Sequence, residues 1–121
     1  MSWQPITKAA LLALLQAEEA GLDAAHAALW QLIRIPPAKW VQHPYGDEGG
    51  GFWAVAVIGT QVVWFNDIED GFDISPYRHS GVIDAYRASQ FTLKHVLHRV
   101  AGAIATGSMS GPFRVPPSVS A

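Results

Sequence analysis

The chain has 121 residues, of which half are hydrophobic and 15% are charged, and it contains no cysteine. This composition excludes an intrinsically disordered chain, and the absence of cysteine excludes disulfides and thiolate metal sites. The net charge of −2 argues against general nucleic-acid binding. The longest apolar run near the start, residues 9–15, is too short to span a membrane. We therefore expect a cytoplasmic protein with neither nucleic acid nor a membrane as a partner.

Two helices are predicted at the N-terminal end. Residues 6–20 are rich in Ala and Leu, the strongest helix formers, and Gly21 follows as a stop signal. Asp23 suits the N-cap of a second helix, in which apolar residues recur at helical spacing until Pro36 and Pro37 end the pattern. The spacing predicts a helical hairpin.

An antiparallel sheet is predicted downstream, built on a central hairpin of residues 52–58 and 61–66. Both runs are apolar, and the Gly59-Thr60 pair between them is typical of a type II′ turn. Three shorter strands are predicted from extended patterns, at residues 39–43, 72–75 and 82–86.

The two-residue turn also predicts the register of the hairpin, with Val55 opposite Trp64. One face should then carry five residues: Trp53, Val55, Val57, Val62 and Trp64. The opposite face should carry five others: Phe52, Ala54, Ala56, Val63 and Phe65. Because both faces are apolar and the alanine side allows close packing of a helix, we predict a homodimer that buries the tryptophan face.

A last helix is predicted from Ser89, a suitable N-cap, to Gly107. Its core stripe should consist of five apolar residues at helical spacing: Leu93, Val96, Leu97, Val100 and Ile104. Residues 108–121 are rich in Gly, Pro and Ser and predict a flexible tail. The expected fold is therefore one α+β domain over residues 1–107, with an N-terminal helical hairpin, an antiparallel sheet and a C-terminal helix.

The densest chemical signal is a set of four carboxylates within residues 67–73: Asp67, Glu69, Asp70 and Asp73. Hard cations prefer clustered oxygen ligands, so a divalent-metal-binding domain or a metal-dependent hydrolase is one interpretation. The EF-hand pattern fails, because Ile68 and Tyr77 would occupy ligand positions. An exposed turn whose polar side chains bond to the backbone is the simpler interpretation.

Motifs of other enzyme classes are absent. The glycine run 49–51 follows Asp47 and Glu48, which would repel a phosphate, and no P-loop lysine accompanies it. The serines at 108 and 110 follow a predicted helix and do not form a nucleophile elbow. The sequence therefore favours a protein without enzymatic activity, and we expect no cofactor.

A binding function is the preferred hypothesis. Tryptophan dominates binding hot spots, so Trp53 and Trp64 are candidates for an interface or ligand platform, with core packing as the alternative. Residues 47–84 hold seven acidic side chains and one basic one, whereas the chain from residue 85 holds four basic and no acidic ones. We expect an acidic, aromatic surface, containing Asp67, Glu69 and Asp70, that binds a basic protein partner.

The segments YGDEGGGFW (45–53) and WFNDIEDGF (64–72) resemble a block in a family of small uncharacterised bacterial proteins. That resemblance implies no particular activity. In size and composition the chain is also similar to immunity proteins, which neutralise secreted toxins, and this similarity implies a binding function.

Overall fold

The structure is a computed structural model that describes residues 3–107. Its elements in chain order are α1 (Lys8–Ala20), α2 (Ala24–Ile33), β1 (Arg34–Trp40), β2 (Phe52–Ile58), β3 (Gln61–Asn66), β4 (Gly71–Pro76) and α3 (Leu93–Thr106). The strands form one antiparallel sheet in the order β1-β2-β3-β4, which confirms the predicted α+β class. Within residues 3–107, none of the helices has the length and apolar character required to cross a membrane.

The two N-terminal helices begin at side-chain caps. The Thr7 hydroxyl accepts a hydrogen bond from the backbone N–H of Ala10 and begins α1. Asp23 caps α2 through the N–H of His26, as predicted. The chain passes directly from α2 into β1 at Arg34, so the predicted strand at 39–43 in fact begins earlier and ends at Trp40.

β1 is an edge strand, and this position explains why it contains Pro36 and Pro37. The register between β1 and β2 shifts between Arg34 and Ala38, the stretch that holds both prolines. Because proline has no N–H to donate, an edge strand with an irregular register accommodates it without losing a central ladder bond. The prolines therefore do not mark the end of the second helix, as the sequence had suggested.

The central hairpin has the predicted bounds but only part of the predicted register. Gly59 has a φ of 58°, as its turn position requires, and the pairs next to the turn are those predicted. Farther along, the register shifts at Val55, and Ala54 instead of Val55 pairs with Trp64. One extra residue in a strand reverses the facing of every residue beyond it, so the predicted composition of the two faces is wrong.

This bulge places the two tryptophans of the hairpin on opposite faces of the sheet. Trp53 and Val55 pack with all three helices in the larger core. Phe52 and Trp64 belong to a second cluster on the other face. The sheet thus has an apolar core on each side, and each core needs its own cover.

The second face is covered by residues 77–91, which we call the strap. The strap contains no helix, and its only strand-like features are the isolated bridges Val41–Val82 and Phe72–Phe91, so the predicted strand at 82–86 is wrong. Ile83 of the strap is buried in the same cluster as Trp64. The tryptophan face predicted to need a second copy of the chain is therefore covered by the chain itself.

α3 begins at Thr92 and not at the predicted cap, Ser89. The Thr92 hydroxyl accepts a hydrogen bond from the N–H of His95, and Gly107 ends the helix in the left-handed conformation, as predicted. Ile104 is 49% exposed, contrary to the prediction that it belongs to the core stripe. The other predicted stripe residues are buried: Leu93, Val96, Leu97 and Val100. The predicted flexible tail lies outside the described residues.

Candidate functional site

Two loops and the N-terminal segment meet at one end of the sheet. Residues 41–51 join β1 to β2 and residues 67–70 join β3 to β4, and both connections emerge at the same end because the strands alternate in direction. Trp3 lies against both: its Nε1 donates to the Asp67 carbonyl at 2.9 Å, and a Cβ on Gly49 would lie 2.9 Å from its ring. We call residues 41–51 and 66–71 together the acidic end.

The acidic end contains no Lys or Arg and carries five carboxylates: Asp47, Glu48, Asp67, Glu69 and Asp70. Lys39 of β1 lies beside it, but its Nζ donates to the carbonyls of Gly49 at 2.8 Å and Gly51 at 3.2 Å. Among the described residues, the only basic side chain within hydrogen-bond distance of these carboxylates is His43, whose Nδ1 lies 2.6 Å from Oδ2 of Asp47. The acidic end therefore keeps a concentrated negative charge.

Asn66 organises the turn at residues 66–71. Its Oδ1 accepts hydrogen bonds from the N–H groups of Ile68 and Glu69, and its Nδ2 donates to the Arg87 carbonyl of the strap. Asp70 has a φ of 61°, a left-handed conformation that Asp adopts more readily than most residues. The turn is thus held by backbone bonds, the simpler of the two interpretations drawn from the sequence.

The four predicted metal-binding carboxylates are not gathered around one point. Asp67 accepts a hydrogen bond from the Ile6 N–H at 2.7 Å, whereas Asp73 lies on β4 and is only 1% exposed. Glu69 is half-buried and Asp70 is exposed. Across residues 3–107, no group of three or more His, Cys, Asp or Glu is placed to hold a metal ion. Residues 3–107 therefore contain no site that supports the hypothesis of metal binding.

Asp73 contacts the strap and not the surface. Its Oδ2 accepts a hydrogen bond from the Ser89 N–H at 2.9 Å, while Oδ1 is buried without a hydrogen-bond partner. Burial raises the pKa of Asp73, against the opposing effects of the Ser89 hydrogen bonds and the charges of Arg87 and Arg99. A carboxylate so placed serves the packing of the strap and is not available to a partner.

The two tryptophans do not form the predicted platform. Trp64 is fully buried, and its Nε1 donates to the Ser75 hydroxyl at 3.0 Å. Trp53 is half-buried on the opposite face, where its Nε1 donates to the Ile6 carbonyl and the Lys39 ammonium lies 5.1 Å from its ring. Core packing, the alternative interpretation, accounts for Trp64, and the prediction of a paired surface platform is wrong.

A stacked aromatic pair at the acidic end is not indicated by any sequence pattern. Tyr45, which is 54% exposed, stacks on Tyr86 of the strap with ring centroids 4.1 Å apart and an interplanar angle of 26°. Four residues earlier in each segment, Val41 and Val82 pair in a parallel bridge, and both are exposed. The common spacing in VQHPY and VIDAY is a weak signal, because nothing in it indicates that the two segments meet.

The fold and the surface thus define an α+β protein with a negatively charged end next to an exposed aromatic pair. No protein-family model, curated protein or solved structure matches this chain. Its function is therefore inferred from the chemistry of its own surface.

Proposed function

We propose that this protein is a non-enzymatic binding protein whose acidic end holds a basic protein partner. The observation that carries the proposal is the convergence of two loops that are distant in sequence, so that five carboxylates share one end of the sheet. Such a concentration of one sign of charge attracts an oppositely charged surface and orients it before contact.

The internal hydrogen bonds of the acidic end favour binding with little loss of conformational entropy. In the first loop the N–H of Gly46 donates to the Gln42 carbonyl, and the N–H of Gly51 donates to the Gly46 carbonyl, both at 2.7 Å. In the second loop Asn66 bonds to the backbone of Ile68 and Glu69 within the turn and to that of Arg87 in the strap. A surface that is already ordered loses less entropy when a partner binds.

Immunity proteins neutralise secreted toxins by binding them. The acidic end suits the binding of a basic toxin, and the chain is similar to immunity proteins in size and composition. The partner in this proposal is a protein and not a nucleic acid, because the carboxylates would repel the phosphate backbone. The bacterial and cytoplasmic setting predicted from the sequence belongs to the same proposal.

The proposal is tested with two variants of equal net charge. Glu48→Gln with Asp70→Asn neutralises two exposed carboxylates at the acidic end, whereas Gln16→Lys with Gln31→Lys adds the same charge on exposed positions of α1 and α2. The full chain is first used to isolate a stoichiometric partner from the source cells, and association rates are then measured.

Because rim charges act mainly on the association rate, the acidic-end variant should bind about tenfold more slowly at low salt and the helix variant nearly as fast as the wild type. Added salt should weaken the wild-type complex. The proposal fails if no stoichiometric basic partner is captured, or if both variants slow association equally.

The predicted homodimer is a second candidate, on a different surface. The tryptophan face that suggested it is covered, but Leu32 on α2 is 82% exposed and Ile104 on α3 is 49% exposed. Ile104 lines a groove between α2 and α3 together with Leu29 and Ala101, and Leu32 lies three residues beyond Leu29 on α2; we call these four residues the α2–α3 face. Large exposed apolar side chains on neighbouring helices favour association with another protein surface.

A further inference from the structure

Tyr45, the exposed tyrosine at the acidic end, packs on a ring that is itself held by the core. Tyr86, beneath Tyr45, is itself held by the second core, with its ring centroid 6.0 Å from those of Phe52 and Trp64. The Tyr45 N–H donates to Oε1 of Gln42, which is 5% exposed. The stacking on Tyr86 and the backbone hydrogen bond to Gln42 therefore hold Tyr45 in place, while more than half of the residue remains exposed to solvent.

A shallow pocket of about 240 Å³ opens within the same loop, at residues 41–51, and its lining includes Gly46, one residue along the chain from Tyr45. It is lined by Val41, Gln42, Gly46, Asp47, Gly50 and Gly51. Gly51 has a φ of 103°, and a Cβ there would lie 2.3 Å from the Trp40 carbonyl oxygen, so the loop requires glycine at this point. The pocket thus combines backbone surface, one valine and one carboxylate.

The Asp47 carboxylate of this pocket is accessible to a partner. Its side chain is 51% exposed, and its Oδ2 lies 2.6 Å from Nδ1 of His43, whose own side chain is 80% exposed. Because both side chains lie largely in solvent, the carboxylate can be reached from outside the loop. The carboxylate, the tyrosine ring and the valine are all within one short loop.

We propose that Tyr45, Asp47 and Val41 form a docking site for an arginine side chain of the basic partner. A guanidinium stacks on an aromatic ring, forms two parallel hydrogen bonds with a carboxylate and is more weakly hydrated than an ammonium. Its methylene groups also cover apolar surface such as the exposed Val41 and Val82. Lysine offers a point charge with no planar face and fits the same surface less well. This inference deepens the proposed function, on which it rests, by naming the group that is bound.

The test uses the full chain and small probes that need no knowledge of the partner. N-acetyl-arginine amide is titrated into the labelled protein while amide chemical shifts are recorded, and N-acetyl-citrulline amide provides the same shape without the charge. The arginine probe should shift resonances within residues 41–51 and 82–86 and saturate at millimolar concentration. The citrulline probe should bind at least about threefold more weakly, because both the ion pair and the cation–π contact are lost.

Matched variants separate the site from general attraction. Tyr45→Ala should weaken binding of the arginine probe about threefold or more, whereas Tyr45→Phe, which keeps the ring, should change it less. Asp47→Asn should weaken it, whereas Asp70→Asn, the same charge change at the other loop of the acidic end, should have little effect. Equal effects of these two Asp variants, or shifts spread over the surface, would overturn the site.

The two proposals fail in different ways. If binding of the native partner requires Glu48 and Asp70 but is unchanged by Tyr45→Ala, the acidic end binds a basic protein and the arginine site is wrong. If the arginine probe binds at Tyr45 but the source cells yield no basic partner, the site stands and the proposed function fails.

Discussion

Three buried polar side chains on β3 and β4 hold the strap against the sheet. Asn66 donates to the Arg87 carbonyl at 2.9 Å, Asp73 accepts from the Ser89 N–H at 2.9 Å, and Ser75 donates to the Ala85 carbonyl at 2.7 Å. An unpaired backbone group under such cover would cost about 1–3 kcal/mol, so these bonds allow an irregular segment to lie over an apolar face. These three side chains thus hold the strap, which contains no helix or strand, over the second face of the sheet.

Asp73→Asn should change how stability depends on pH. Burial raises the pKa of Asp73 in the folded protein, so the ionised form is disfavoured there and its contribution to stability falls as pH rises above the unfolded pKa. Asparagine can still accept the hydrogen bond from the Ser89 N–H and does not ionise. The wild type should therefore lose stability relative to Asp73→Asn as pH increases from about 3.5 to neutral. Urea unfolding at a series of pH values measures this difference, and a wild type that gains relative stability with rising pH would contradict it.

Thr92→Ala should destabilise the protein more than Ser89→Ala does. The Thr92 hydroxyl accepts the hydrogen bond that begins α3, and removing such a cap costs about 1 kcal/mol. Ser89 is exposed and its backbone N–H, which alanine retains, makes the bond to Asp73. Urea midpoints of the two variants decide between the cap seen in the structure and the one predicted from the sequence; equal losses would argue against the structural assignment.

The helices and strands were largely predictable where the apolar pattern agreed with the turn and capping residues at its ends. The bounds of β2 and β3 follow from two apolar runs around a Gly-first turn, and Asp23 was recognised as a cap. The bulge at Val55 was not predictable, because strands that are apolar on both faces have no alternation from which a register shift can be read. Residues 82–86 of the strap have the pattern of a strand because the buried Ile83 and the half-buried Tyr86 cover a core without pairing in a ladder.

The candidate site was predictable in composition but not in arrangement. Charge counts identified the acidic segment, and three of the carboxylates it singled out, Asp67, Glu69 and Asp70, do lie at the acidic end. Asp73 became a strap contact because its place on β4 faces the second core. The stacking of Tyr45 on Tyr86 depends on a contact between segments 41 residues apart, which no local pattern specifies.

At the level of packed elements, Gly71→Ala should separate the strap from β4. A Cβ at Gly71 would lie 2.2 Å from the Gln90 Cα, where the strap pairs with β4 through the Phe72–Phe91 bridge. Forcing backbone apart at this point should cost about 2 kcal/mol or more. Gly102→Ala is the control, because that position on α3 is exposed, has nothing within 4 Å of a new Cβ, and should gain about 0.5–1 kcal/mol.

Urea unfolding of both glycine variants measures these opposite effects. The Gly71 variant should also show faster amide exchange in the strap than the wild type, since the hydrogen bonds between Phe72 and Phe91 would be strained. A Gly71→Ala protein as stable as the wild type would show that the strap can move away from β4 at little cost.

Across the whole molecule, each sheet face has its own cover, and the charged groups are unevenly distributed. The three helices pack on one face and the strap on the other. The acidic end carries five carboxylates, whereas α3 carries exposed basic residues, Lys94 and Arg99, and no acidic one. This uneven distribution of charge should steer a basic partner toward the acidic end.

The apolar surface left outside both covers includes the α2–α3 face, and we predict that a second copy of the chain packs against it. Leu29 and Leu32 recur on α2 at the spacing of one helical face, and Leu29 lines a groove of about 350 Å³ together with Ala101 and Ile104 of α3. Small alanine side chains allow a close approach of helices, and a two-fold pair would place the Leu32 of each copy against its mate.

The prediction is a homodimer at tens of micromolar protein that Leu32→Glu dissociates. Burying a leucine contributes about 2 kcal/mol, and the substitution acts on both copies, so the dissociation constant should rise well over tenfold. Leu12→Glu provides the control, because Leu12 is an exposed leucine of α1 outside the α2–α3 face. Light scattering gives the mass of the wild type and of both variants. A monomeric wild type would contradict the predicted dimer, and equal effects of the two leucine variants would show that the interface is not the α2–α3 face. Trp64→Glu is unsuitable for this test, because a charge at a fully buried position would unfold the monomer as well.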